Sequence, residues 1–399
     1  MLQPTTRRQF LTRLGGVAAG AALGVEQLLA AGGDPERARP RVVIARDEAL
    51  TRGTPDEHGA LLQKLLAAAV QKLTDTPDAA AAWRQLFKPK DRVGIKVNTL
   101  GLTTQPVVVD AIVAGLRLAG VPAENIIIWD RFDVELSKAG FKLNKSGSGV
   151  QCRGTDAERI GSGYQDKVET SGQIGSSFSK IVAEDVDVLI SVPVLKDHNL
   201  AGVTLGMKNF YGAIHNPNKY HDQNCDPYIV DVVSHRYVAK KWRLTICDGV
   251  RAQYNAGPAA HPGFAWPFGG LLVGRDFVAV DAVAADLLDA RRQEAGLKSL
   301  ADEDRPPKYI ATAAARGLGE ADLRKIERIE VECGQPRQCL RVSVAARRDA
   351  VGIGLRSLCA RRGARAAGPG RRRRDRIARP EAHRSGPACG PVLGRAAGP

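Results

Sequence analysis

The feature that most limits the fold is a recurrence of apolar, β-branched runs separated by stretches with helical spacing of apolar residues. Strand candidates lie at residues 41–45, 92–97, 125–129, 186–192, 243–247, 271–273 and 326–331. Helix candidates lie at 57–73, 106–118, 227–240, 277–289 and 307–316. Strands alternating with helices of this length build βαβ units around a parallel sheet. Ile126-Ile127-Ile128 and the run from Val186 to Val192 are nearly unbroken apolar, as strands covered on both faces are. The expected fold class is α/β, a mainly parallel sheet with helices on both faces. Two Gly- and polar-rich stretches, 142–179 and 252–270, interrupt the rhythm and read as lids, binding loops or disordered insertions.

The two ends of the chain read differently. Thr5-Thr6-Arg7-Arg8-Gln9-Phe10-Leu11 precedes a Gly/Ala-rich apolar stretch from Leu14 to Val25. A membrane-spanning helix needs about 20 apolar residues, and this stretch is shorter. A charged start followed by a short apolar region is a targeting segment. Residues 1–31 are therefore expected to be a twin-arginine signal peptide, recognised by the twin-arginine translocase. The localisation expected is periplasmic, or exported in another form through that pathway. No later segment reads as a stable membrane span. The formal charge of +15 belongs almost wholly to the other end: residues 336–399 hold 16 Arg, no Lys and three acids, leaving +2 for residues 1–335. That tail has no aromatic residue and too little apolar content to bury a core, so it reads as a disordered or aberrant extension. Nucleic acid is not expected as a partner of an exported chain. Between the ends, residues 41–333 form the expected α/β domain.

Chemistry clusters at the carboxyl ends of the predicted strands, where open α/β sheets bind ligands. The strand at 92–97 delivers Lys96 and Asn98 just before a helix starting at Pro106. The strand at 125–129 delivers Asp130 and Arg131. The run 186–192 delivers Lys196, Asp197 and His198, and 243–247 delivers Asp248. Lysine and asparagine beside a helix N-terminus suit an anionic group. The densest stretch runs from Lys196 to His221 and carries three of the seven histidines, His198, His215 and His221, together with Lys208 and Asn209. Gly202, Gly206 and Gly212 let the backbone bend there or come close to a ligand. Histidine is the usual proton shuttle near neutral pH, and a desolvated lysine can act as base or nucleophile.

These residues carry a resemblance. Val93-Gly94-Ile95-Lys96-Val97-Asn98, Lys196-Asp197-His198, Lys208-Asn209-Phe210-Tyr211-Gly212 and Asp248-Gly249 resemble the DUF362 family, over roughly residues 41–333. The family has no assigned function, so the resemblance implies a fold more than a reaction. Some members look like iron–sulfur proteins with ferredoxin-type cysteine runs. Here Cys152, Cys225, Cys247 and Cys333 stand apart, and no such cluster is expected. A more remote similarity is to the catalytic subunit of nickel-dependent lactate racemases, in which a lysine ten positions after a histidine bears a nickel pincer. His198 and Lys208 have that spacing. The similarity implies His198 as acid–base residue, Lys208 as cofactor anchor, and His215 or His221 as ligand to nickel or another metal.

The site expected from sequence is thus a crevice for a small anionic ligand. Lys96, Asn98, Lys196, Asp197, Asn209 and Asp248 bind, and His198 and Lys208 do chemistry, as in a racemase- or isomerase-like proton transfer. The alternatives are a non-catalytic periplasmic binding or redox-associated module without its own iron–sulfur cluster, and a degenerate copy without function.

Overall fold

The computed structural model describes residues 39–156 and 163–333. The expected signal segment and the Arg-rich tail lie outside the described residues. The chain opens with β1 (Arg41–Arg46) and two helices, α1 (Gly59–Thr74) and α2 (Ala79–Leu86). A βαβ unit follows: β2 (Val93–Val97), α3 (Pro106–Leu118) and β3 (Ile126–Phe132). After a short α4 (Asp133–Lys138) come β4 (Gln151–Asp156) and a hairpin of β5 (Glu169–Ser171) and β6 (Ile174–Ser176). β7 (Val188–Val192), β8 (Val194–His198) and β9 (Gly202–Thr204) lead into the single-turn α5 (Gly206–Asn209). Helices α6 (Tyr228–Ser234) and α7 (Arg236–Ala239) precede the long β10 (Trp242–Gln253) and then β11 (Ala265–Trp266) and β12 (Gly270–Gly274). The described chain closes with α8 (Phe277–Glu294), α9 (Lys308–Ala315) and β13 (Glu327–Glu332).

One sheet organises these elements, in the order β13-β1-β12-β10-β7-β2-β3-β4. The run from β10 to β4 is parallel throughout. β12 is antiparallel to both neighbours, and β1 is parallel to β13. The fold is α/β with a mostly parallel sheet, as the spacing of apolar runs implies.

Side chains alternate across a strand, and the two faces of the sheet support two cores. Val93, Ile95 and Val97 of β2 join Ile126 and Ile128 of β3 under α1, α2 and α3. Ile127 and Trp129 of β3 join Leu189 and Cys247 on the other face, beneath α6, α8 and α9. Fully burying one such aliphatic or aromatic side chain stabilises the fold by about 1.5–3 kcal/mol. β2 is apolar on one face only. Its other face presents Gly94 and Lys96, and that break in the core opens the site.

The differences from the sequence reading have local causes. The expected helix at 227–240 is split at His235, whose backbone is extended and whose Nδ1 accepts from Tyr237 N at 3.4 Å. The stretch 142–179, expected as a loop, holds β4, β5 and β6, whose mixed composition (Gln-Cys-Arg-Gly-Thr-Asp in β4) has no apolar alternation. The run ending at Val192 resumes after Pro193 as β8. β7 pairs with the first half of β10 and β8 with the second, and Pro193, which has no N–H, marks the join. Among the described residues no helix is long and apolar enough to cross a membrane.

Candidate functional site

A cavity of about 350 Å³ opens at the carboxyl ends of β2, β3 and β8, walled on one side by α5 and the turns after it. The topology draws together there Lys96, Asn98, Lys196, His198, Lys208, Asn209 and His221 from the sequence-predicted set. Asp130 and Arg131, expected at the end of β3, join them, and the structure adds Glu135, Thr204 and Tyr211.

On the β2–β3 side, Lys96 is 1 % exposed. Its Nζ lies 2.6 Å from Asp130 Oδ1 and donates to the Val97 carbonyl at 2.6 Å and to Asn209 Oδ1 at 3.2 Å. Burial lowers the hold of Lys96 on its proton, and Asp130 opposes that. Asn209 is itself fixed, donating to the Lys96 carbonyl at 3.0 Å and to Ser191 Oγ at 3.1 Å. Gly212 passes so close to the ion pair that a Cβ there would sit 2.6 Å from Lys96 Cε and 2.7 Å from Asp130 Oδ1. A lysine and aspartate buried together in this way stabilise only because the geometry is tight.

Lys196 has a different task. Its Nζ donates to Asn98 Oδ1 at 3.1 Å, to the Leu102 carbonyl at 2.8 Å and to the Leu100 carbonyl. Those three acceptors use all its hydrogens and pin the loop after β2 over the mouth of the cavity. Asn98 Oδ1 also accepts from Leu100 N, and Thr104 Oγ1 ties the loop to the Val192 carbonyl at 2.8 Å. Burial, and then Lys208, push the Lys196 ammonium down to about 7.

The α5 side places Lys208. Asp281 of α8, fully buried, accepts from Gly206 N at 2.8 Å and Met207 N at 3.0 Å and so caps the turn from behind. Gly206 is needed for that approach, since a Cβ would lie 2.9 Å from Asp281 Oδ1. Lys208 Nζ then faces His221 Nε2 at 3.1 Å and sits 4.5 Å from the centre of the Tyr211 ring. Among the described residues it has no carboxylate partner, and burial pushes its ammonium down to about 8.

The two cavity histidines have opposite polarity, assigned by their hydrogen bonds. His221 Nδ1 lies 3.2 Å from the Pro217 carbonyl, which only accepts, so Nδ1 carries the hydrogen and Nε2 offers a lone pair to Lys208. His198 Nδ1 accepts from Leu200 N at 3.1 Å and Ala201 N at 3.2 Å, so its hydrogen is on Nε2. Burial, then Lys208, lower both: His221 to about 4 and His198 to about 2. Both imidazoles are neutral near pH 7, with ring centres 5.8 Å apart.

Three predicted residues stand elsewhere. Asp197 alternates with Lys196 and His198 along β8 and faces away from the cavity. Its Oδ1 accepts from Gly257 N at 2.8 Å and its Oδ2 pairs with Arg305 at 3.1 Å. Asp248 accepts from Gln105 N at 2.9 Å and Val250 N at 3.0 Å, holding the start of α3 in place, and burial raises its carboxyl to about 6. His215 is exposed, edge-on to Tyr164 with ring centres 5.1 Å apart. Of the two histidines expected as metal ligands, only His221 reaches the cavity. Among the described residues no group of three or more His, Cys, Asp or Glu converges to hold a metal ion. No step below runs through one. Glu135 went unnoticed in sequence because it follows a strand end inside a short helix, where a carboxylate is ordinary. Its only signal was the preceding Asp130-Arg131.

Compared with known proteins, residues 88–286 match DUF362, "Domain of unknown function (DUF362)". That span contains every residue lining the cavity. No curated protein matches the chain.

Proposed function

The chain belongs to the DUF362 family, and from the chemistry of its cavity we propose that it binds a small anionic ligand and moves a proton on it. The observation that carries this reading is the Lys208–His221 pair, a buried ammonium whose hydrogen-bond partner is a neutral imidazole lone pair at 3.1 Å. A charge buried without a counter-charge is costly, and an incoming carboxylate or phosphate supplies one. Thr204 supports a polar ligand as well: it lines the cavity, and its buried hydroxyl has no partner among the described residues.

Roles follow from polarity. Lys208 binds the anion and turns its hydrogen away from His221, which frees the Nε2 lone pair. His221 Nε2 is the proton acceptor. His198 is a donor to the ligand through Nε2–H, because reversing its tautomer would set two backbone N–H groups against a third N–H. Lys96 and Lys196 shape the cavity from positions already saturated with partners.

The test is hydrogen exchange in D2O with pyruvate as probe, following methyl deuteration by proton NMR. Exchange that is lost in His221→Gln supports proton transfer. Binding of oxalate with no exchange of pyruvate by the wild type would favour the alternative of a non-catalytic binding module. For localisation, we read Arg7-Arg8 as an export signal for the twin-arginine translocase, delivering the folded chain to the periplasm. Changing both to lysine should hold the protein in the cytoplasm on fractionation, and unchanged export would refute it.

A further inference from the structure

The β3 side of the cavity contains a hydroxyl in contact with two carboxyl groups, with one hydrogen for the two contacts. Thr99 Oγ1 lies 2.9 Å from Asp130 Oδ2 and 3.1 Å from Glu135 Oε2. A hydroxyl has one hydrogen, and an ionised carboxylate only accepts. With both acids ionised, the two anionic oxygens would have to share that single hydrogen. Either the two carboxylates share that one hydrogen or one carboxyl carries its own, and the second arrangement gives each contact a donor.

Asp130 does not. Its Oδ1 faces Lys96 Nζ at 2.6 Å and accepts from Arg131 N at 2.9 Å, while Oδ2 accepts from Thr99 N at 2.9 Å as well as from the hydroxyl. Four donors converge on it, which is the environment of a carboxylate. The hydrogen then belongs to Glu135, which donates to Thr99 while Thr99 donates to Asp130. Asp130, Arg131 and Lys96 are the charged groups that act on Glu135. Half-burial and Asp130 favour its neutral form, Arg131 and Lys96 oppose it, and the Thr99 contact opposes it only when Thr99 is the donor.

We propose that Glu135 is held as a neutral carboxylic acid and serves as the proton donor of the cavity, and that the ligand is a small 2-oxo acid. This rests on the reading of Lys208 and His221 above and adds its opposite pole. The anionic group pairs with Lys208, and the 2-oxo oxygen faces Glu135. In the step this permits, His221 Nε2 takes a proton from C3, and the C3–H electron pair becomes the C2=C3 bond. Glu135 turns its hydrogen from Thr99 to the 2-oxo oxygen and the C2=O π pair takes it, giving an enol, imidazolium and carboxylate. The Thr99 hydrogen is then shared by Asp130 and Glu135. Reversal restores all three, and no oxidant or reductant is needed.

The experiment is an infrared difference spectrum of wild type against Glu135→Gln at about pH 6, where an exposed glutamate is ionised. It is paired with pyruvate deuteration in D2O. The wild type should show the carbonyl stretch of one protonated carboxyl that the variant lacks, and Thr99→Val should shift that band. Glu135→Gln should slow deuteration by about 100-fold, the scale of a lost general acid, with oxalate still bound. A spectrum with no such band overturns the proposal, and so does a band whose loss leaves exchange unchanged. If the wild type exchanges no deuterium, the proton-transfer reading fails and the donor role with it. The infrared band still reports separately whether Glu135 holds its proton.

Discussion

On the β2–β3 side of the cavity Lys96 is buried against Asp130 at 2.6 Å; on the α5 side Lys208 is also buried, but against an imidazole nitrogen at 3.1 Å. Both are lysines on short, tightly held segments. The first has its counter-charge, so its charge belongs to the architecture. Among the described residues the second lacks one, so its charge is available to a ligand. Burial alone does not mark a functional lysine. What faces the ammonium does.

The comparison breaks most visibly at the paired side. Asp130→Asn leaves Lys96 buried without its partner and should cost about 3–5 kcal/mol of unfolding free energy, read by urea denaturation. Gly212→Ala drives a methyl into the same pair and should cost about 1–3 kcal/mol in the same assay. Lys208→Met should cost less than about 1 kcal/mol, because no carboxylate loses its partner. A loss as large as that of Asp130→Asn would erase the distinction.

The pH dependence sharpens it. The Lys208 ammonium is held down at about 8 against an ordinary 10.5. Between those values the unfolded chain binds more protons than the folded one, so wild-type stability should rise with pH from about 8 to 10.5. Lys208→Met should lose its share of that rise in denaturation midpoints, leaving the share of Lys196, which is held at about 7. An effect of opposite sign belongs to Asp281, which burial raises from 3.8 to about 7. There the folded chain binds more protons, so stability should fall as pH climbs through that window, and Asp281→Asn should flatten the slope.

Much of this was legible in the sequence, for reasons specific to each part. Ile126-Ile127-Ile128 and the run from Val186 to Val192 announced buried parallel strands because both of their faces are covered. Lys96, His198 and Lys208 stood out because they follow strand ends or glycines. β4 and the β5–β6 hairpin were hidden, because strands whose side chains make hydrogen bonds and ion pairs need no apolar alternation. Asp197 and Asp248 misled for a related reason: a buried carboxylate that holds backbone N–H groups has the same sequence appearance as one that meets a ligand. The partnership of Thr99 with Glu135 was out of reach, since it depends on how the loop after β2 lies against α4.

The account turns on Lys208 as a buried cation waiting for an anion, and calorimetric titration of oxalate tests it most directly. Wild type and Lys208→Met would be compared between about pH 6 and 9, with the exposed Lys325→Met as control. The account predicts one-to-one binding by wild type and by the control, weakening as pH passes about 8, and no binding by Lys208→Met. Equal binding by Lys208→Met and wild type would contradict it.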